Sequence, residues 1–309
     1  MGKIAFVFAG QGAQAPGMGR ELYASSPGAR RVLDQAEALR PGTLRQCFEG
    51  SPQELVVTEN TQPCLFAVEL ACAAAALEAG ARPRLCAGFS LGEAAAAAFC
   101  GMLPEGRAFA FVLERAAAMQ ACAQKHPGFM AAVVRLEVEQ VVALCRGFED
   151  IYPGNFNAPG QVVVSGAASG RDAFFQAVAA AGGRAIPLKV RGAFHSPLMG
   201  EAAQRLLVWL RGEALQAPSM PLYANRTALP YGEGEDAAQL LAQQVDHPVL
   251  WEKTVRAMGA AGADLFVELG PGGVLSGLIR KILPEARVCR VEDAKSLREA
   301  AALWEGRSA

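Results

Sequence analysis

The sequence predicts an α/β chain: a larger domain built on a mainly parallel sheet, interrupted by a smaller inserted domain. Three observations carry this. Apolar runs of strand length alternate with helix-length segments toward both ends of the chain, so the strands need crossover connections and lie parallel. Several of those runs end in glycine-rich turns. Between residues 124 and 192 the order changes to β-α-β-β-α-β, the split-βαβ or ferredoxin-like arrangement. The larger domain is therefore expected over 1–123 and 193–309, with 124–192 as the insert.

The elements follow in order. Residues 3–9, KIAFVFA, form a continuous apolar run that ends in the turn GQGAQ at 10–14. Residues 61–80 read as a helix, with Asn60 or Thr61 as its cap, Pro63 near the start and Gly80 at the close. RLCAGF at 84–89 is a short strand leading into the helical SLGEAAAAAFCG, and 104–123 is the next helix, with Pro104 in its first turn. In the insert, strands are expected at 128–135, 150–156, 161–165 and 184–190, and helices at 137–146 and 170–182. Ser196-Pro197 then reads as a cap and first-turn proline opening a helix to about 215. DLFVEL at 264–269 is a strand, followed by the turn and helix of GPGGVLSGLIRKIL.

Composition narrows the function classes. Of 309 residues, 52% are hydrophobic and 19% charged, which excludes whole-chain disorder and allows a sizeable core. A formal net charge of −1 gives no overall attraction to nucleic acid or an anionic membrane. Glu69 and Glu78 interrupt the alanine-rich run, so no stretch reaches the roughly 18 apolar residues of a membrane span. The start shows no signal cleavage site, and Phe6 stands where myristoylation would want Ser or Thr. The eight cysteines form no C-x-x-C pair and read as buried free thiols in a reducing compartment. Three histidines without ligand spacing suggest no metal site.

Gly88-Phe89-Ser90-Leu91-Gly92 matches G-x-S-x-G. In a nucleophile elbow of the α/β-hydrolase type, a strand turns sharply into a helix and presents the serine hydroxyl near backbone N–H groups. The flanking apolar and helical runs suit that reading; an ordinary strand–helix turn is the alternative. The serine needs a base. His126 and His247 each precede a proline in loop-like sequence, whereas His195 returns the chain to the larger domain, where sites gather at the carboxyl edge of a sheet. Asp150 and Asp172 both fall in the insert, and a backbone carbonyl could orient the imidazole instead. Arg115 shares the apolar face of helix 104–123 with Phe111, Val112, Ala118 and Met119. A buried guanidinium costs several kcal/mol unless paired. Two readings stand: a structural ion pair, or a clamp for a substrate carboxylate.

These residues resemble the malonyl-CoA:acyl-carrier-protein transacylases of bacterial fatty-acid synthesis, and are also similar to polyketide synthase acyltransferase domains. The resemblance covers nearly the whole length through GQGAQ at 10–14, TQP at 61–63, GFSLGE at 88–93, LERAAAMQ around Arg115, NFNAPGQVVVSG at 155–166, AFHSPLM at 193–199, QQVDHPVLW at 243–251 and ELGPGGVLSGL at 268–278. It implies Ser90 as the acylated nucleophile, His195 as its base, and the Gln11 and Leu91 amides as oxyanion hole. It implies Arg115 as carboxylate ligand, Gln244 as the carbonyl that orients His195, and Gln62 and Asn157 as substrate-binding residues. It further implies a ferredoxin-like small domain, malonyl-CoA and acyl carrier protein as partners, no cofactor and a cytoplasmic setting. The chain departs from the pattern at Phe89, where the family most often has His, and at Ala94, where it often has an aromatic residue. Carrier proteins of this type are typically acidic, and Arg184, Lys189 and Arg191 are candidate basic contacts by their nearness in sequence to His195, with a solvated strand end as the alternative.

Three rivals stand beside that reading. A serine esterase or thioesterase would release free acid rather than transfer the acyl group. A catalytically silent carrier-binding subunit would form no acyl-serine. A free-standing acyltransferase would load a polyketide synthase in trans.

Overall fold

The computed structural model describes residues 2–190, 192–232 and 236–305. Its first strand, β1 (Lys3–Phe8), is buried from Ile4 onward. A strand covered on both faces reads as an unbroken apolar run rather than an alternating one, as KIAFVF does. Then come α1 (Arg20–Ser25), α2 (Pro27–Leu39), α3 (Thr43–Glu49), α4 (Pro52–Leu55) and α5 (Thr58–Glu78), followed by β2 (Pro83–Gly88), α6 (Leu91–Phe99) and α7 (Glu105–Lys125). The middle stretch holds β3 (Gly128–Val134), α8 (Val138–Arg146), β4 (Ile151–Ala158), β5 (Gln161–Ala167), α9 (Arg171–Ala180) and β6 (Arg184–Pro187). The chain continues through α10 (Gly200–Arg211), β7 (Leu222–Tyr223), α11 (Ala237–Gln243), α12 (Trp251–Ala260), β8 (Ala263–Leu269), α13 (Val274–Ile282), β9 (Arg287–Val291) and α14 (Ala294–Trp304).

The fold is α/β. One five-stranded sheet runs β7-β2-β1-β8-β9 with every neighbouring pair parallel. A four-stranded antiparallel sheet runs β4-β5-β3-β6. The central position of β1 places the loops after β1, β2 and β8 side by side at one sheet edge. The two sheets are stitched together close to that edge. Phe156 N donates to Val249 O at 2.8 Å, Val249 N donates to Gly154 O at 2.9 Å, and Ser165 Oγ donates to Phe194 O at 2.5 Å. These bonds fix the segments around residues 194 and 245 against the antiparallel sheet.

Helix α5 is buried on all sides from Thr61 to Ala73. A helix enclosed by its neighbours carries no amphipathic stripe. Helix α7 buries the stripe Ala108, Phe111, Val112, Arg115, Ala118, Met119 and Cys122. Seven of the eight cysteines are buried and Cys289 is half-buried; all are free. Among the described residues, no helix is long and apolar enough to cross a membrane.

Several boundaries differ from expectation. Helix α5 begins at Thr58, so Thr61 lies inside it and turns its hydroxyl back to Val57 O at 3.0 Å instead of capping. Ser196 does not cap a helix either: its Oγ donates to Ala193 O at 2.6 Å, a short 3₁₀ turn occupies Pro197–Met199, and α10 ends at Arg211, before Gly212. Strand β6 ends at Pro187, short of the expected residue 190, with Leu188 N still donating to Met130 O at 2.9 Å. Arg191 lies outside the described residues.

Candidate active site

Ser90 sits where β2 turns into α6, with φ 54° and ψ −107°. That is the left-handed half of backbone space, which a non-glycine residue occupies only when its surroundings force it. The forcing is visible on both sides. A Cβ on Gly88 would overlap the Gly92 carbonyl, and a Cβ on Gly92 would overlap the Phe8 and Ala9 carbonyls of the neighbouring strand end. Only glycine lets the chain turn this tightly against β1. Asn225, just beyond β7, holds the turn from below: its Oδ1 accepts from Ser90 N at 2.8 Å and its Nδ2 donates to Gly88 O at 2.5 Å.

His195 reaches the serine from the remote segment that follows the antiparallel sheet. It too is left-handed, with φ 60°, and its own N–H donates to Val245 O at 2.8 Å. Its Nε2 lies 2.7 Å from Ser90 Oγ, and its Nδ1 lies 2.9 Å from the Gln244 main-chain carbonyl. A carbonyl only accepts, so Nδ1 carries the ring hydrogen and Nε2 presents its lone pair to the Ser90 hydroxyl. Burial, and then the nearby Arg115 charge, push the imidazole down to about 4, which keeps it neutral. His126 and His247 take no part: His126 lies 3.7 Å from Glu201, and His247 bonds Gln243 O and Asp246. Asp150 bonds Tyr152 and Asp172 pairs with Arg171, so neither joins the serine.

Arg115 is 2% exposed. Its Nη1 donates to Gln62 Oε1 at 2.8 Å; its Nη2 donates to Gln244 Oε1 at 2.8 Å and to Ser90 Oγ at 3.2 Å. All three acceptors are neutral, and no ion pair forms to Arg115 among the described residues. The ion-pair reading of this residue is thereby corrected. Burial pulls the guanidinium down to about 10, with the Glu93 charge opposing.

The remaining expected residues fall as follows. Gln11 borders a cavity of about 270 Å³ together with Ser90, His195 and Asn157. Leu91 is the first residue of α6. Neither the Gln11 nor the Leu91 N–H finds an acceptor among the described residues, as befits the open donors of a helix start and its facing loop. Asn157 Oδ1 is buried without a partner. Gln62 is fully buried and touches the guanidinium; it does not reach the cavity wall, and any part it plays runs through Arg115. Arg184 is exposed at the start of β6, and Lys189 is exposed just beyond it, between Leu188 and Val190 of the cavity wall.

Three partners were not singled out from sequence. Besides Asn225, they are Glu93 and Tyr231. Glu93 Oε1 accepts from Tyr231 Oη at 2.6 Å and from Asn225 N at 3.2 Å, while Oε2 accepts from Gln244 Nε2 at 2.7 Å. The same Gln244 Nε2 donates to Ser90 O at 2.5 Å. Burial pushes the Glu93 carboxyl up to about 7, against the pull of these three donors and Arg115. Its signal was an acid three residues after the serine in an otherwise apolar helix start. Asn225 and Tyr231 stand in no motif.

A serine facing a neutral imidazole, with unused amides nearby and a buried cation beside it, has the geometry that nucleophilic acyl transfer requires. A model of the acyl transferase domain matches residues 5–301. The chain belongs to the acyl transferase domain family. It is 35% identical over 303 residues to a malonyl CoA-acyl carrier protein transacylase of Bacillus subtilis, covering 96% of each chain. It matches the solved malonyl CoA-acyl carrier protein transacylase of Clostridium perfringens with a TM-score of 0.94 and 31% identity, over 99% of this chain and 98% of that one. It also matches a malonyl-transacylase solved in complex with a type II PKS acyl-carrier protein, with a TM-score of 0.93 and 32% identity, over 97% and 99% of the two chains. As a member of this acyltransferase family, the chain is an enzyme.

Proposed function

We propose that this acyltransferase moves the malonyl group from malonyl-CoA to the phosphopantetheine thiol of an acyl carrier protein, as its relatives' names describe for them. One observation supports the choice of acyl group above others. Arg115 offers a buried guanidinium with no acidic partner, 3.2 Å from the hydroxyl that would carry the acyl chain. A malonyl carboxylate supplies the missing charge. An acetyl group leaves it unmet, which disfavours acetyl-CoA.

The residues then divide the work. Ser90 Oγ attacks the thioester carbonyl as its proton passes to His195 Nε2, with the Gln244 carbonyl holding the ring. The oxyanion rests on the Gln11 and Leu91 amides; losing one such donor typically costs about 2.7–4 kcal/mol. Coenzyme A leaves as its thiol, taking the proton from His195. The carrier thiol next gives its proton to His195 and attacks the malonyl-serine ester, and Ser90 recovers its hydrogen as the product thioester departs. Asn157 lines the acyl path, and Gln62 steadies Arg115. The reaction needs no cofactor. The acidic carrier seats near Arg184 and Lys189.

We read residues 1–123 and 193–309 as an α/β-hydrolase-like catalytic domain and 124–192 as a ferredoxin-like insert. The strand order β4-β5-β3-β6 supports the latter. We place the reaction in the cytoplasm, supplying fatty-acid synthesis. Similarity to a transacylase bound to a polyketide carrier favours a second assignment with the same chemistry, loading of a polyketide carrier in trans. Incubation with malonyl-CoA labelled in the acyl group should move label onto holo carrier protein, with little free malonate. Comparing kcat/KM for fatty-acid and polyketide carriers decides between the two pathways. Predominant release of malonate would instead mark a thioesterase.

A further inference from the structure

The Glu93 carboxyl is fully enclosed, yet it does not line the cavity, and its partners are Tyr231, Asn225 and Gln244 rather than Ser90 or His195. It is tied to the carboxylate clamp through one side chain. Gln244 donates from Nε2 to Glu93 Oε2 at 2.7 Å and accepts at Oε1 from Arg115 Nη2 at 2.8 Å. The Gln244 amide therefore bridges an acid and a cation that do not touch. All three contacts on Glu93 can act as donors, which is the environment of an ionised carboxylate. One of them is adaptable: the Tyr231 hydroxyl, 2.6 Å away, can rotate to accept a hydrogen from a protonated Glu93. Among the described residues, the titratable groups facing Glu93 are Tyr231 from beyond β7 and Arg115 from α7, with His195 on the far side of Gln244.

We propose that Glu93 is a positioning residue for acyl-group selection whose protonation is coupled to the clamp, so that seating a malonyl carboxylate on Arg115 draws one proton from solvent onto Glu93. This rests on Arg115 being the malonyl ligand. In the free enzyme Glu93 is the nearest counter-charge to Arg115. A substrate carboxylate brings a second anion to the same cation inside a low-dielectric site, where repulsion is weakly screened. Proton uptake by Glu93 restores a single negative charge opposite Arg115 and leaves Gln244 free to keep its bond to the Ser90 carbonyl. The position of Glu93 near half-ionisation at neutral pH makes the coupling observable there. By reciprocity, an ionised Glu93 weakens malonyl binding, so affinity falls as pH rises through about 7.

Titration calorimetry on full-length Ser90→Ala, which binds malonyl-CoA without reacting, tests this. It should be run in two buffers of different ionisation enthalpy between pH 6 and 9, with acetyl-CoA as the comparator because it carries the same phosphates. Malonyl-CoA should take up about half a proton more than acetyl-CoA near neutral pH, and its affinity should weaken about tenfold across the range. Adding Glu93→Gln should abolish both effects, and wild-type turnover should show the pH dependence in KM more than in kcat. Tyr231→Phe, which removes one donor, should move the midpoint upward by about one pH unit. That variant decides the matter if Glu93→Gln does not fold, and an unmoved midpoint overturns the proposal. Malonyl-CoA preferred over acetyl-CoA with no extra proton overturns the role of Glu93 alone. Equal binding of the two thioesters overturns the Arg115 clamp and this proposal with it. Extra uptake surviving Glu93→Gln assigns the proton elsewhere and overturns the proposal.

Discussion

At the scale of single residues, the site is organised around charge taken out of water. Arg115 is the clearest case, since nothing acidic pairs with it and three neutral oxygens hold it in place. Arg115→Ala should lower kcat/KM for malonyl-CoA by roughly two orders of magnitude or more, in line with loss of a charge-assisted contact, and far less for acetyl-CoA. Equal losses would return Arg115 to a structural role. His195 carries a second expectation. Its conjugate acid cannot accept the Ser90 proton, so on the acid side activity falls where the ring is protonated. With the imidazole pushed down to about 4, the acid limb of kcat/KM should lie near pH 4 and not near the ordinary histidine value of 6.5. A stopped pH series with stability controls measures it, and an acid limb at 6.5 would mean the ring is hydrated. Ser90, His195 and Arg115 were legible because each is an unusual residue in its setting: a serine between crowded glycines, a histidine at a domain return, a cation on an apolar stripe. Glu93 stood in the same motif without such contrast of role, since only its contacts with Gln244 and Tyr231 reveal what it touches.

At the scale of elements, the elbow is held by packing rather than by propensity. Gly92 lies against the Phe8 and Ala9 carbonyls, and Gly88 against Gly92 itself, so neither position has space for a methyl group. Gly92→Ala should cost about 3 kcal/mol or more, because the backbone of β1 must move to admit it. Denaturant unfolding of the variant checks this; a change under about 0.5 kcal/mol, the scale of a surface substitution, would mean the strand end yields easily. The strands β1, β2 and β8 were readable because burial on both faces makes them continuous apolar runs. Strand β7 is two residues long, and β9, at a sheet edge, carries two exposed arginines among its five residues with no period-2 pattern, so neither has a signal of its own. Helix starts differ from expectation where a nearby backbone carbonyl takes the hydroxyl that would have capped, as Val57 O does for Thr61. Ser196 looked like a cap and instead bonds Ala193 O.

At the scale of the molecule, the antiparallel sheet helps to hold the His195–Gln244 contact in place. It bonds to Phe194 through Ser165 and to Val249 through β4, on either side of the His195–Gln244 contact. The chain should therefore unfold in one calorimetric transition with equal van't Hoff and calorimetric enthalpies; two separated transitions would show that the sheets fold independently. The β-α-β-β-α-β order was visible in sequence, but its docking was not, because the bonds that fasten it join segments about 30 to 100 residues apart. The central claim is that this docking delivers an imidazole to a serine which then carries the acyl group. Wild-type enzyme incubated with malonyl-CoA and no thiol acceptor should yield one malonyl ester, mapped by peptide mass spectrometry to Ser90 and absent from Ser90→Ala. A malonyl adduct at full yield on Ser90→Ala would contradict it.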